Sequence, residues 1–156
     1  VIAAASRRPV RFVMDHHVFR IPILNFVFRT SRAIPIASAK ENPQLLERAY
    51  DEIAAALEAG ELVGVFPEGR ITDSGELYPF KSGIARIVER TPVPVVPLAL
   101  RGLWGSSFSR KHGIGRSIPR KLFAKIELIA ASPVAPAYAT PESLQETVLG
   151  LRGDWK

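Results

Sequence analysis

The chain has 156 residues, 47% apolar and 23% charged, a balance that suits one folded domain with a real core and excludes a disordered chain. It has no cysteine, so disulfides and thiolate chemistry are excluded and a reducing cytosolic setting is expected. The formal net charge is +6 and the isoelectric point about 10.1, which favours phospholipid headgroups, nucleic acid or a phosphorylated small molecule as partner, unless the charge serves solubility alone.

No apolar run is long enough to cross a bilayer as a helix, because Arg, Pro or Gly interrupts each one. Val1-Ile2-Ala3-Ala4-Ala5 has neither a starting Met nor a basic leader, so the chain is expected to be cut from something longer. Residues 1–6 read as the tail of a helix. Pro9 to Met14 reads as a strand through Val10, Phe12 and Val13. Asp15 can cap a helix over about His16–Phe28, interrupted by Pro22. That segment is apolar nearly all round, through Val18, Phe19, Ile21, Ile23, Leu24, Phe26, Val27 and Phe28, with Arg20 and Arg29 beside them. It suits either a core helix or one dipping into a bilayer surface.

Ala33 to Ile36 is a second short strand. Asn42-Pro43 starts a helix whose Leu46, Ala49, Ile53 and Leu57 share a face, and Gly60 stops it. Residues 62–66 are the next strand. A polar loop, Ile71 to Pro79, carries the turn signal Asp73-Ser74-Gly75. A helix over Ser82–Arg90 turns Ile84, Ile87 and Val88 inward. Val93 to Leu100 suits a buried strand made irregular or edge-like by Pro94 and Pro97. Residues 102–121 form a basic loop rich in Gly and Ser. Leu122 to Ile129 is a further strand, and Thr140 caps a last helix over Pro141–Leu151. Strands alternating with helices predict an α/β layer fold with a mixed, mostly parallel sheet.

Phe66-Pro67-Glu68-Gly69-Arg70 carries the most chemistry. Proline ends the strand, and glycine allows a turn and a close approach. A carboxylate and a guanidinium are left at the strand's C-terminal end, where open α/β sheets bind ligands. The planar fork of Arg70 suits a phosphate. The plainer reading is a turn with a surface ion pair. Lys81 precedes a helix start that favours an anion, and Ser82 and Gly83 could add a hydroxyl and close backbone approach; the alternative there is a helix cap beside a solvated lysine. Trp104, Phe108, Arg110, Lys111, Arg116, Arg120, Lys121 and Lys125 mix aromatic and basic side chains. Such a mixture suits nucleic acid, but no nucleic-acid module accompanies it, so contact with a membrane surface ranks higher.

The order of these blocks resembles the glycerolipid acyltransferases, which acylate glycerophosphate, lysophosphatidic acid or other lysophospholipids. Phe66-Pro67-Glu68-Gly69-Arg70 is similar to that family's phosphate-binding motif, Phe80-Lys81-Ser82-Gly83 to the segment after it, and Val93-Pro94-Val95-Val96-Pro97-Leu98 to its proline-bearing apolar block. The resemblance spans most of residues 9–131 and is closest to bacterial acyltransferase domains fused to a transporter-like membrane region. It implies a single acyltransferase domain over 1–156, moving a fatty acyl group from acyl-CoA or acyl carrier protein to a hydroxyl of a lysophospholipid or acylglycerol phosphate. It implies no metal or redox cofactor, a place at the cytoplasmic face of the inner membrane, and no nucleic acid. It assigns substrate binding to Phe66, Pro67, Glu68, Gly69, Arg70, Lys81, Ser82 and Gly83, with Arg70 the direct phosphate ligand and Glu68 fixing a backbone turn or a neighbouring arginine.

The family's base is a histidine followed five positions later by an aspartate. Here His16, His17 and His112 are followed at that spacing by Ile21, Pro22 and Ser117. The expectation is that the catalytic pair lies upstream of Val1, with His16 and His17 as polar residues at a helix start; recruitment of Asp15-His16-His17 as a substitute is the alternative. The family's second arginine, after the second strand, is also missing: Ala37-Ser38-Ala39-Lys40 stands there. Lysine is a point charge rather than a fork, which fits a phosphodiester acceptor such as lysophosphatidylethanolamine. The competing function is a non-catalytic domain that binds anionic lipid or nucleic acid.

Overall fold

The computed structural model of the chain describes residues 2–20, 26, 28–70, 76–102 and 126–154. A four-residue helix, α1 (Ile2–Ala5), leads to β1 (Val10–Asp15). β1 is the middle of a three-stranded sheet, with β2 (Ile34–Ile36) on one side and β3 (Leu62–Gly64) on the other, both parallel to it. In register, Val13 faces Ile34 and Asp15 faces Ile36, while Val10 faces Leu62 and Phe12 faces Gly64. All three strands therefore end toward one edge. The segments that follow them, from His16, Ala37 and Val65, leave from that edge.

The long helix α2 (Pro43–Glu58) carries the chain from β2 to β3. Its start is written in the sequence: Asn42 Oδ1 accepts from Leu45 N–H at 2.9 Å, and Pro43 occupies the first turn. Its apolar face is the expected one. Ala49 and Ile53 are buried, Leu46 and Leu57 pack beside them, and Gly60 ends the helix at φ +75°. With Tyr50, Ile34 and Ile87 they form one core against the sheet.

α3 (Gly83–Arg90) lies beside α2. Ile84, Ile87 and Val88 are buried, as their spacing predicts. Arg86 reaches both carboxylate oxygens of Glu47 at 2.8 Å and covers the Tyr50 ring at 4.3 Å, and Arg90 pairs with Asp51. β4 (Leu98–Arg101) and β5 (Glu127–Ala130) form a separate antiparallel pair. Val95 bridges Val134, with N···O distances of 2.9 and 2.7 Å. α4 (Pro141–Arg152) packs on β4, its start capped by Thr140 Oγ1, which accepts from Ser143 N–H at 3.2 Å. Ile84, Val88, Ala139 and Leu144 make a second core. Val65 packs against both cores.

Three expected elements differ. The strand at 62–66 stops at Gly64, because β1 pairs with it only from Val10 to Phe12 and leaves Val65 and Phe66 unpaired. Residues His16–Arg20 form a 3-10 helix rather than the start of an α-helix, since Asp15 Oδ1 takes the backbone N–H of His17 at 2.8 Å and tightens the turn. The apolar block at 93–100 makes a lone bridge at Val95 and forms a strand only from Leu98, after Pro97. Residues 28–30 are helical and end in a Schellman arrangement, with Ala33 N–H on Phe28 O, Arg32 N–H on Arg29 O and Arg32 at φ +54°. The rest of the expected 16–28 helix, the turn at 73–75 and the basic segment 103–125 lie outside the described residues. No described helix is long and apolar enough to cross a membrane.

Candidate substrate-binding site

The strand order 2-1-3 makes the C-terminal ends of β1 and β3 the switch point of the sheet, the usual ligand position in an open parallel sheet. Phe66-Pro67-Glu68-Gly69-Arg70 follows β3 at that edge. Phe66 is half exposed, and its ring stacks on Phe12 of β1, with centroids 6.0 Å apart. Gly64 makes this possible: a Cβ there would meet the Phe12 ring at 2.8 Å. The chain then turns sharply, with Gly69 N–H on Phe66 O at 3.0 Å and Gly69 at φ +65°.

The second block folds back onto this turn. Lys81 N–H donates to Pro67 O at 2.9 Å, and the Lys81 side chain runs across Gly69. A Cβ at Gly69 would stand 2.6 Å from Lys81 Nζ. Glycine is thus required twice, for its φ and for the room the lysine uses. Glu68 Oε2 accepts from Tyr78 N–H at 2.8 Å, so Glu68 fixes the returning strand of the loop. The Arg70 guanidinium carbon lies 3.4 Å from the centroid of the Tyr78 ring, a cation–π contact made by an exposed residue. Ser82 precedes α3 without a capping hydrogen bond from its side chain, and a Cβ at Gly83 would come within 3.3 Å of Tyr50 Oη. Phe80 N–H donates to Gln145 Oε1 of α4 at 2.9 Å.

The structure therefore brings together Phe66, Pro67, Glu68, Gly69, Arg70 and Lys81, with Ser82 and Gly83 adjoining at the start of α3. It adds Tyr78 and Gln145, which the sequence reading missed. Neither has a local signal, because each acts through a contact distant along the chain. Lys81 and Arg70 supply positive charge beside a helix start whose first N–H groups have no partner within the helix, a combination suited to an anion.

At the C-terminal end of β1, Asp15 Oδ1 accepts from the His17 backbone N–H and lies 2.8 Å from His17 Nδ1. His17 Nε2 is 3.1 Å from Glu41 Oε1. Burial alone would raise the pKa of Asp15, but the two hydrogen bonds from His17 and the neighbouring imidazoles outweigh it and hold the carboxyl below its usual range. Lys40, in the stretch where the family's second arginine was expected, is exposed in the segment after β2.

The protein-family model described as Acyltransferase matches residues 1–101, so the chain belongs to that family. The chloroplastic 1-acyl-sn-glycerol-3-phosphate acyltransferase BAT2 of Brassica napus is 30% identical over 118 residues, covering 71% of this chain and 33% of the relative. A probable 1-acyl-sn-glycerol-3-phosphate acyltransferase of Mycoplasma pneumoniae is 28% identical over 97 residues, 62% of this chain and 36% of the relative. An N-acylphosphatidylethanolamine synthase of Arabidopsis thaliana is 32% identical over 87 residues, 54% of this chain and 30% of the relative. The chain spans about a third of the length of these curated relatives. No solved structure matches.

Proposed function

We propose that this chain holds the phosphate-bearing acceptor of an O-acyltransferase, and that the whole protein moves a fatty acyl group from an acyl thioester to a hydroxyl of a lysophospholipid or acylglycerol phosphate. The observation that carries the reading is Lys81 lying over Gly69 beside Arg70 on Tyr78, at the ligand-binding edge of a parallel sheet. Arg70 offers two N–H donors to a phosphate, and Lys81 adds a point charge from the other side of the turn. The half-exposed ring of Phe66, stacked on the partly buried Phe12, gives the acyl or glycerol portion an apolar wall. The thioester is already activated, so the reaction needs no redox partner. The donor is coenzyme A or acyl carrier protein, and the basic surface lies against an anionic membrane.

The test is binding of the chain to neutral vesicles doped with lysophosphatidic acid or, separately, with lysophosphatidylethanolamine. Retention on either, lost on Arg70→Ala and Lys81→Ala, supports the reading. Equal retention of wild type and both variants overturns it. A stronger response to lysophosphatidylethanolamine would identify the diester acceptor that Lys40 in place of arginine favours.

A further inference from the structure

Three nitrogen- and oxygen-bearing side chains at the end of β1 converge within metal-binding distance. One ligand atom each from Asp15, His16 and His17 lies within 4.8 Å of the others. Asp15 Oδ1 is 2.8 Å from His17 Nδ1 and 3.7 Å from His16 Nδ1. With bonds of about 2.0–2.2 Å, two ligands on one tetrahedral ion stand roughly 3.4 Å apart, so both separations bracket the required edge. The imidazoles lie face to face at a tilt, with centroids 4.0 Å apart.

Two further observations accord with an ion, which on binding would take the place of the ring hydrogen bond between His17 Nδ1 and Asp15 Oδ1. Among the described residues, His16 Nδ1 is buried and has no hydrogen-bond partner, although it stands 3.7 Å from Asp15 Oδ1. A cation between them satisfies both atoms. The outer contacts are those a ligated histidine and carboxylate need: the far nitrogen of His17 reaches Glu41 Oε1 at 3.1 Å, and the His17 backbone N–H holds Asp15 Oδ1. His16 Nε2 faces the same Glu41 oxygen at 3.8 Å.

We propose that Asp15, His16 and His17 bind a divalent transition ion such as Zn2+, with Glu41 orienting the imidazoles from behind. Two imidazoles and one carboxylate suit Zn2+ or Co2+ better than Mg2+ or Ca2+, which favour oxygen alone. Water completes the coordination, since Asp15 and His17 are exposed. The ion fixes the first turn after β1, and Glu41 joins that turn to the loop between β2 and α2. Its role is in holding the edge of the sheet, separate from acyl transfer.

The full chain, without a histidine tag, is titrated calorimetrically with Zn2+ and optically with Co2+. One ion per chain is expected, with the visible bands of low-coordinate Co2+ and a rise in melting temperature. His17→Gln and the pair His16→Gln/His17→Gln abolish these signals, and Glu41→Gln weakens affinity about tenfold or more. Metal-free melting curves show that the variants fold, since His17 is half exposed. Absence of binding by the wild type at sub-millimolar metal, or unchanged affinity in the double variant, would falsify the site.

Discussion

At the scale of single residues, the candidate site depends on side chains held by their neighbours. Gly69→Ala places a methyl where the Lys81 side chain now lies. Because the lysine end is flexible, the stability cost is chiefly that of a positive φ, about 1 kcal/mol. Acceptor binding should fall at least tenfold, and vesicle sedimentation beside urea unfolding separates the two effects. Tyr78→Leu removes the ring under Arg70. A several-fold weaker affinity is expected, with little change in stability; unchanged affinity would mean that Arg70 does not use the ring for its positioning. The two motif blocks were legible because proline, glycine and charge fall together in each. Their joining was not, since it runs through Lys81 N–H and Pro67 O and through a tyrosine ten residues beyond Glu68.

At the scale of elements, local chemistry wrote the helix ends and tertiary pairing wrote the strand ends. Asn42-Pro43 and Thr140-Pro141 announce their helices, and Gly60 closes one, because caps are made within a turn of the chain. Asn42→Ala should destabilise by about 1 kcal/mol through loss of the bond to Leu45 N–H, measured as a shift in the urea midpoint. β3 is different. Nothing in Leu62-Val63-Gly64-Val65 says that pairing ends at Gly64; the register with β1 decides it. Gly64→Ala drives a methyl into the Phe12 ring and should cost about 1–3 kcal/mol. A variant as stable as wild type would show that Phe12 can leave its stack on Phe66. The turn at His16–Arg20 was misread as an α-helix because Asp15 caps it twice, by backbone and by ring, and sequence shows only the first possibility.

For the whole molecule, the edge of the sheet opposite the site is held by charge. Arg11, buried in β1, donates to Arg32 O at 2.8 Å and to Glu61 at 3.2 Å, and pairs with Glu52; Arg32 also reaches Glu61 at 2.8 Å. Burial alone would raise the pKa of Glu61, but the hydrogen bond from Arg11 and the charges of Arg32 and Arg11 bring it below its ordinary value. A lowered carboxyl contributes stability that is complete above its unfolded pKa, near 4.3, and is lost as pH falls through the folded value. Wild type should therefore lose more stability on acidification than Glu61→Gln, compared by urea midpoints from neutral pH downward. Parallel curves would show that the network adds nothing.

The contact from Gln145 to Phe80 N–H joins residues 65 positions apart and attaches the loop of the candidate site to the last described helix. The family match ends at residue 101, well before that helix. A fragment trimmed to the matched region would keep both motif blocks and lose the clasp that sets the loop preceding Lys81. Where a protease or a cloning boundary cuts this chain thus governs an anion site whose charged residues it never touches.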